Sequence, residues 1–214
     1  MFMNNTAKKI GLGAVVAILC ALAFYFMYWI KTPAYSVNII RESIANHDVV
    51  NFEKHVDMDN LYSKAIDDII IAQDRIEHTN ISSNPFLMGI LQIMKPAIVN
   101  EMKINTIENV KGVDEANGGK KSEASKVAES MQKKADVKNM QLNDISVVSK
   151  ANGEAMVAVK VYSKKVAKDF TFKIKMHELS DGTWQVKEIA NLAEILVEMD
   201  AAEKALKAGE RNAA

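Results

Sequence analysis

Residues 10–30 contain no charged side chain. At the helical rise of about 1.5 Å per residue, a run of this length reaches roughly the 30 Å of a bilayer's hydrocarbon. That one segment constrains the whole chain, because a helix apolar on every side cannot join a water-facing domain without a partner to cover it. Lys8 and Lys9 precede it and Lys31 alone follows, while Tyr25, Tyr28 and Trp29 stand towards its far end, where amphipathic rings suit the headgroup zone. The charge bias predicts a cytoplasmic N-terminus (1–9), a transmembrane anchor (10–30) and everything from residue 31 outside. Two other uses of the same residues stay open. Ala21-Leu22-Ala23 follows a short apolar run as a signal-peptidase site does, although cleavage there leaves "FYFMYWI" as the new N-terminus. The stretch "AILC" is lipobox-like, but Leu19 stands where a small residue is wanted, and otherwise Cys20 is simply a small apolar residue in lipid.

The remainder of the 214 residues suits one modest domain. Basic and acidic residues balance at 27 each and the basic ones are scattered, so nothing favours a phosphate backbone and no nucleic-acid partner is expected. Cys20 is the single cysteine, which excludes an intramolecular disulfide and any Cys-based zinc pattern. A domain outside the cytoplasm must then stand on packing alone.

Beyond the anchor the period is first helical. Thr32-Pro33 reads as a helix start, and Val37, Ile40 and Ile44 give that helix an apolar stripe ending near Asn46-His47. Asp48 caps a second helix with Val49, Phe52 and Val56 on one face, and residues 61–76 form a third after a polar break at 57–60. Asn84-Pro85 opens a fourth helical stretch, whose apolar density predicts burial and whose Pro96 should kink or split it. A second membrane segment over 86–94 is about nine residues, short of the ~20 needed to span, which leaves a re-entrant or interfacial role as the alternative. In residues 112–136 large apolar side chains nearly vanish, predicting a mobile charged insertion (111–137) with one exposed helical piece near 123–134.

The period then becomes twofold. Phe170, Phe172, Ile174 and Met176 alternate with Thr171, Lys173, Lys175 and His177, and Val157, Val159 and Val161 repeat the pattern one strand earlier. Asn152-Gly153 and Asp181-Gly182 are hairpin turn dipeptides, so 140–149, 154–163, 169–179 and 183–189 form an antiparallel meander, with a bulge near Asn143-Asp144 where the apolar phase slips. Leu192, Ile195, Met199 and Leu206 stripe a closing helix that Gly209 should stop, with 210–214 as a tail. The expected fold class is α+β: a transmembrane helix, a helical layer (31–110) on a four-stranded antiparallel meander, and a closing C-terminal helix (138–209).

The opening "TPAYSVNIIRESIANHDVVNFEKHVDMDNL" resembles that of a bacterial family of uncharacterised membrane-anchored proteins, a domain of unknown function with the pattern TP-x-Y, then D-x-x-x-F-x-x-x-V-D. Thr32, Pro33, Tyr35, Asp48, Phe52, Val56 and Asp57 occupy those positions. "NPFLMGILQIMKP" and "DGTWQV" extend the likeness over most of residues 32–190, with a longer, more charged insertion and a longer final helix here. The resemblance implies a cell-envelope address without an activity. The element order is also similar to the cone-shaped fold of nuclear transport factor two and its relatives, which implies a sheet and helices that enclose a cavity.

Candidate chemistry is sparse. His47, His55, Asp57 and Asp59 are ligand types, but no imidazole pair has the four-residue spacing of a helical metal site, so Asp48, Phe52 and Asp57 read as cap, core anchor and cap, and no metal is expected. "DMDN" lacks the glycine and closing glutamate of a calcium loop. His78 and His177 have no nucleophile to serve, so no catalytic residue or cofactor is expected. Phe170, Phe172 and Trp184 are either core or the wall of a pocket for a small apolar ligand, with Tyr35 and Tyr162 as its polar handles. The expected function is a non-catalytic interaction module of the bacterial envelope that binds the bilayer through 10–30 and an envelope protein through its domain. The alternative is a carrier or sensor for a small apolar ligand.

Overall fold

The computed structural model describes residues 5–113, 123–134 and 140–212, with side chains over 17–113, 124–128, 130 and 140–209. They form an α+β fold in the order α1 (Asn5–Trp29), α2 (Pro33–Ala45), α3 (Val49–His55), α4 (Met58–Glu77), α5 (Pro85–Lys111), α6 (Glu123–Lys134), β1 (Met140–Ala151), β2 (Glu154–Ser163), β3 (Lys168–Glu178), β4 (Trp184–Ile189) and α7 (Leu192–Asn212).

Local chemistry sets the helix starts. Thr32 accepts from the Tyr35 amide, Asp48 from Asn51, Asp57 from Asn60 and Asn84 from both Phe86 and Leu87, so each short polar side chain serves amides that the first helical turn leaves unpaired. Pro33 and Pro85 follow two of these caps at positions where a missing N–H costs nothing. Gly112 ends α5 at φ +69°, with the His47 ring so close that an added Cβ would lie 2.6 Å from its Cε1.

The sheet is a meander, β1-β2-β3-β4, every neighbour antiparallel. Register places Val157 opposite Ile174, Val159 opposite Phe172 and Val161 opposite Phe170, so the alternating apolar residues share one face. The slip between Leu142 and Asp144 falls where the phase of the sequence breaks, and further slips occur between Val147 and Ser149 and at Lys175/Met176. Val37 and Ile40 of α2 and Leu61 of α4 cover the Trp184 end of the inner face, while Ile195 and Met199 of α7 cover the Phe170 end. A separate core joins α4, α5 and α6 through Ile66, Ile70, Ile98, Val99, Met102 and Ala128.

Several expectations need correction. α5 runs unbroken through Pro96, which lies on the exposed side where water can serve the carbonyl its missing N–H leaves free. Its apolar density does not mean burial, since Phe86 and Ile93 are 74% and 82% exposed. The helical piece in the insertion is present as α6, but it is not free of the core, because Ala128 is fully buried and Ala124 and Val127 pack beside it. Small residues allow that close approach without large apolar side chains. The mobile character expected of the rest of the insertion falls on residues outside those described. α7 continues past Gly209, and Ile44 and Leu206 face outward. Among the described residues no single helix is long and apolar enough to cross a membrane. The pair Ala17–Trp29 and Pro33–Ala45, bent by 76° at the break, meets that test together.

Candidate functional site

The residues on which the resemblance in the opening segment rests fall into two structural joints. The first is the break between α1 and α2. The Thr32 hydroxyl donates to the Trp29 carbonyl at 2.8 Å and accepts from the Tyr35 amide at 3.2 Å, stitching the end of one helix to the start of the next. Tyr35 packs its ring on Trp29 with centroids 4.7 Å apart. Pro33 is buried and begins α2. Trp184, at the start of β4 and fully buried, then locks this break onto the sheet. Its indole Nε1 donates to the Lys31 carbonyl at 3.0 Å and its backbone N–H to the buried Ser36 hydroxyl at 2.9 Å. Lys150 lies over the indole face at 4.8 Å, and the Lys31 stem covers Gly182, whose Cβ would have met it at 3.1 Å.

The second joint holds α3 and the start of α4 against β4. Phe52 and Val56 are buried with Met58 and Val110, Val56 bridges Val186, and the Asp57 amide donates to the Val186 carbonyl at 2.9 Å. Partial burial raises the Asp57 carboxyl, but Lys187 at 2.7 Å and the Asn60 amide outweigh it and hold the group below its ordinary range. Asp48 is likewise lowered, by the Asn51 amide that it caps. Asp181 in the β3–β4 turn is held well down by Lys54 at 2.6 Å together with Thr183, which ties this turn to α3.

The other candidate side chains lie apart from one another. His47 Nδ1 donates to the Val110 carbonyl and His55 Nδ1 to the Asn51 carbonyl, both at 2.8 Å, so each imidazole is committed to backbone in a different place. His55 is buried, and its Nε2 has no hydrogen-bond partner among the described residues. Asp59 is paired with Lys103 rather than with a histidine. Among the described residues no group of three His, Cys, Asp or Glu side chains is placed to hold a metal ion. Nor do the proposed pocket residues meet: Trp184 belongs to the cluster at one end of the sheet and Phe170 and Phe172 to the cluster at the other. Tyr35 lies beside Trp29, whereas Tyr162 pairs with Asp169, eight residues along β2 from Glu154 and so about 26 Å away from that end.

What the sequence reading missed is surface. An open groove of about 590 Å³ runs between α4 and α5, edged by Asp67, Lys95, Gln92, Pro96 and Asn100. Beside it lies the exposed apolar face of α5. Lys95 and Asp67 meet at 2.8 Å across the groove. Asp68, on α4, is pushed above the usual carboxyl range by burial, with Glu194, Asp67 and Glu188 adding repulsion. The groove's lining mixes polar and apolar side chains, and the apolar face beside it is open to solvent. No protein-family model, no curated protein and no solved structure matches this chain.

Proposed function

We propose that this chain is a bacterial inner-membrane protein, anchored by residues 10–30 with its N-terminus in the cytoplasm, whose α+β domain outside is a non-catalytic interaction module of the envelope. The observation that carries the reading is the state of α1. Every residue from 17 to 31 is exposed, on all faces of the helix, with Phe24 at 79% and Tyr28 at 77%. A water-facing helix of that composition would strand far more apolar area than a soluble surface tolerates, and lipid is the solvent that removes the penalty. Lys8 and Lys9 before the run, against Lys31 after it, set the orientation. Trp184, Ser36 and Thr32 then hold the domain at a defined angle to the anchor, which a module presenting a surface at a fixed height above a membrane requires.

The test of orientation is labelling of Val50→Cys, on α3 and 78% exposed, in a Cys20→Ser background. Intact spheroplasts treated with a membrane-impermeant maleimide should label the cysteine fully. Labelling that appears only after lysis would place the domain in the cytoplasm and sink the proposal.

A further inference from the structure

α5 has two apolar faces. One, through Leu91, Met94, Ile98 and Met102, packs into the core shared with α4 and α6. The other carries Phe86, Ile90, Ile93, Ala97, Asn100 and Ile104, all exposed, succeeding one another at four, three, four, three and four residues. Alternation of three and four is the seam spacing of paired helices. A face that meets only water needs no such spacing.

Three features indicate what covers this face. No charged residue lies between Pro85 and Met94, and Lys95 is engaged by Asp67 at 2.8 Å, so two like faces meet without like-charge repulsion. In an antiparallel pairing centred between Ile93 and Ala97, the bulk of Ile93 opposes the gap left by Ala97 of the other helix, while Ile90 opposes Asn100 and Phe86 opposes Ile104. Taken at their exposed fractions, Phe86, Leu87, Ile90, Ile93 and Ile104 offer about 500 Å² per copy, so two copies together remove about 1,000 Å², the lower bound of a specific interface. A bilayer surface fits less well, because an interfacial helix borders its apolar face with Lys or Arg and places no Asn within it.

We propose that this face of α5 is a self-association surface, through which two copies of the chain pair about a two-fold axis, α5 against α5. An interface of this size is weak between free chains. Two chains held in one membrane meet at a raised effective concentration, and in this respect the proposal rests on the anchored reading above.

The experiment uses an equimolar mixture of two full chains, both Cys20→Ser, one with Ile93→Cys and the other with Ala97→Cys, reconstituted together in phosphatidylcholine vesicles, floated on a density gradient and oxidised with copper phenanthroline. Val50→Cys in the same background is the control. The expected result is disulfide dimer on the order of tenfold above the control, lost when Phe86→Asp is added. Because Phe86 is exposed, that variant should keep the parent's unfolding transition. Dimer no more abundant than in the control overturns the proposal. So does quenching by brominated lipid of a bimane label attached to the Ile93→Cys variant, which would show that the bilayer covers the face. If the chain fails to float, the anchored reading fails, and the same comparison in mild detergent still decides the surface.

Discussion

The indole Nε1 of Trp184 donates to the carbonyl oxygen of Lys31 at 3.0 Å, joining the start of β4 to the end of the N-terminal helix. With the neighbouring bond from the Trp184 amide to Ser36, it makes the α1–α2 break part of the folded domain rather than a loose tether. Trp184→Phe keeps most of the packing and removes one donor, so it should lower unfolding stability by about 1 kcal/mol, whereas Trp184→Ala also opens a cavity and should cost about 3–5 kcal/mol. Denaturant titration of the full chain in mild detergent distinguishes the two. No loss in Trp184→Phe would mean that packing alone holds the junction.

Gly112 and His47 form a second close approach. At φ +69° any other residue is strained, and a Cβ would displace the imidazole that donates to Val110. Gly112→Ala should therefore destabilise by about 1–3 kcal/mol, and in a His47→Ala background the loss should shrink to the backbone strain of about 1 kcal/mol. A double-mutant cycle with no coupling would contradict the contact.

The pH dependence follows from carboxylates with opposite shifts. Asp48, Asp57, Asp74 and Asp181 lie below their ordinary values: Asp48 through the Asn51 amide, Asp57 through Lys187 and Asn60 against its burial, Asp74 through Ser82 and Thr79, and Asp181 through Lys54 and Thr183. A group whose pKa is lower in the folded state adds stability above its unfolded value, near 4, and loses it as pH falls through the folded value. Melting temperature should thus drop steadily below about pH 4. Asp68 has the opposite sign: its pKa is raised, chiefly by burial, so its charge works against folding at neutral pH. Asp68→Asn should melt slightly higher than the parent at pH 7, and the gain should vanish in acid. A constant gain at all pH would show that the charge is not its cause.

Asp74 gathers the loop that turns α4 into α5, accepting from Ile81 N–H at 2.9 Å, Ser82 N–H at 2.7 Å and the Thr79 hydroxyl. Asp74→Ala should speed amide hydrogen exchange at Ile81 and Ser82 while leaving Trp184 protected. Loss of protection at Trp184 would mean that the α4–α5 loop and the α1–α2 break open together.

Much of this architecture is legible in the residues because it is local. Asp48, Asp57 and Asn84 announce helix starts through their own short side chains, and Asn152-Gly153 and Asp181-Gly182 announce turns through positive φ. The strands show because a two-residue period has one buried side. α5 misleads for a physical reason: apolar residues on both its faces raise density without revealing which face the domain uses. α6 misleads in the other direction, since Ala128 is buried by closeness of approach rather than by size. The junction is partly visible in Thr32-Pro33, but nothing near Trp184 in sequence indicates that its indole reaches Lys31. Trp184 and Phe170, read from the sequence as either core or pocket wall, lie in core clusters that strand register places at opposite ends of the sheet.

The proposed placing of residues 10–30 in lipid is tested by flotation of full-length chain with vesicles after a wash in alkaline carbonate, which strips proteins bound at the surface by charge. The account predicts that the chain stays with the floating lipid. Recovery in the wash would contradict it.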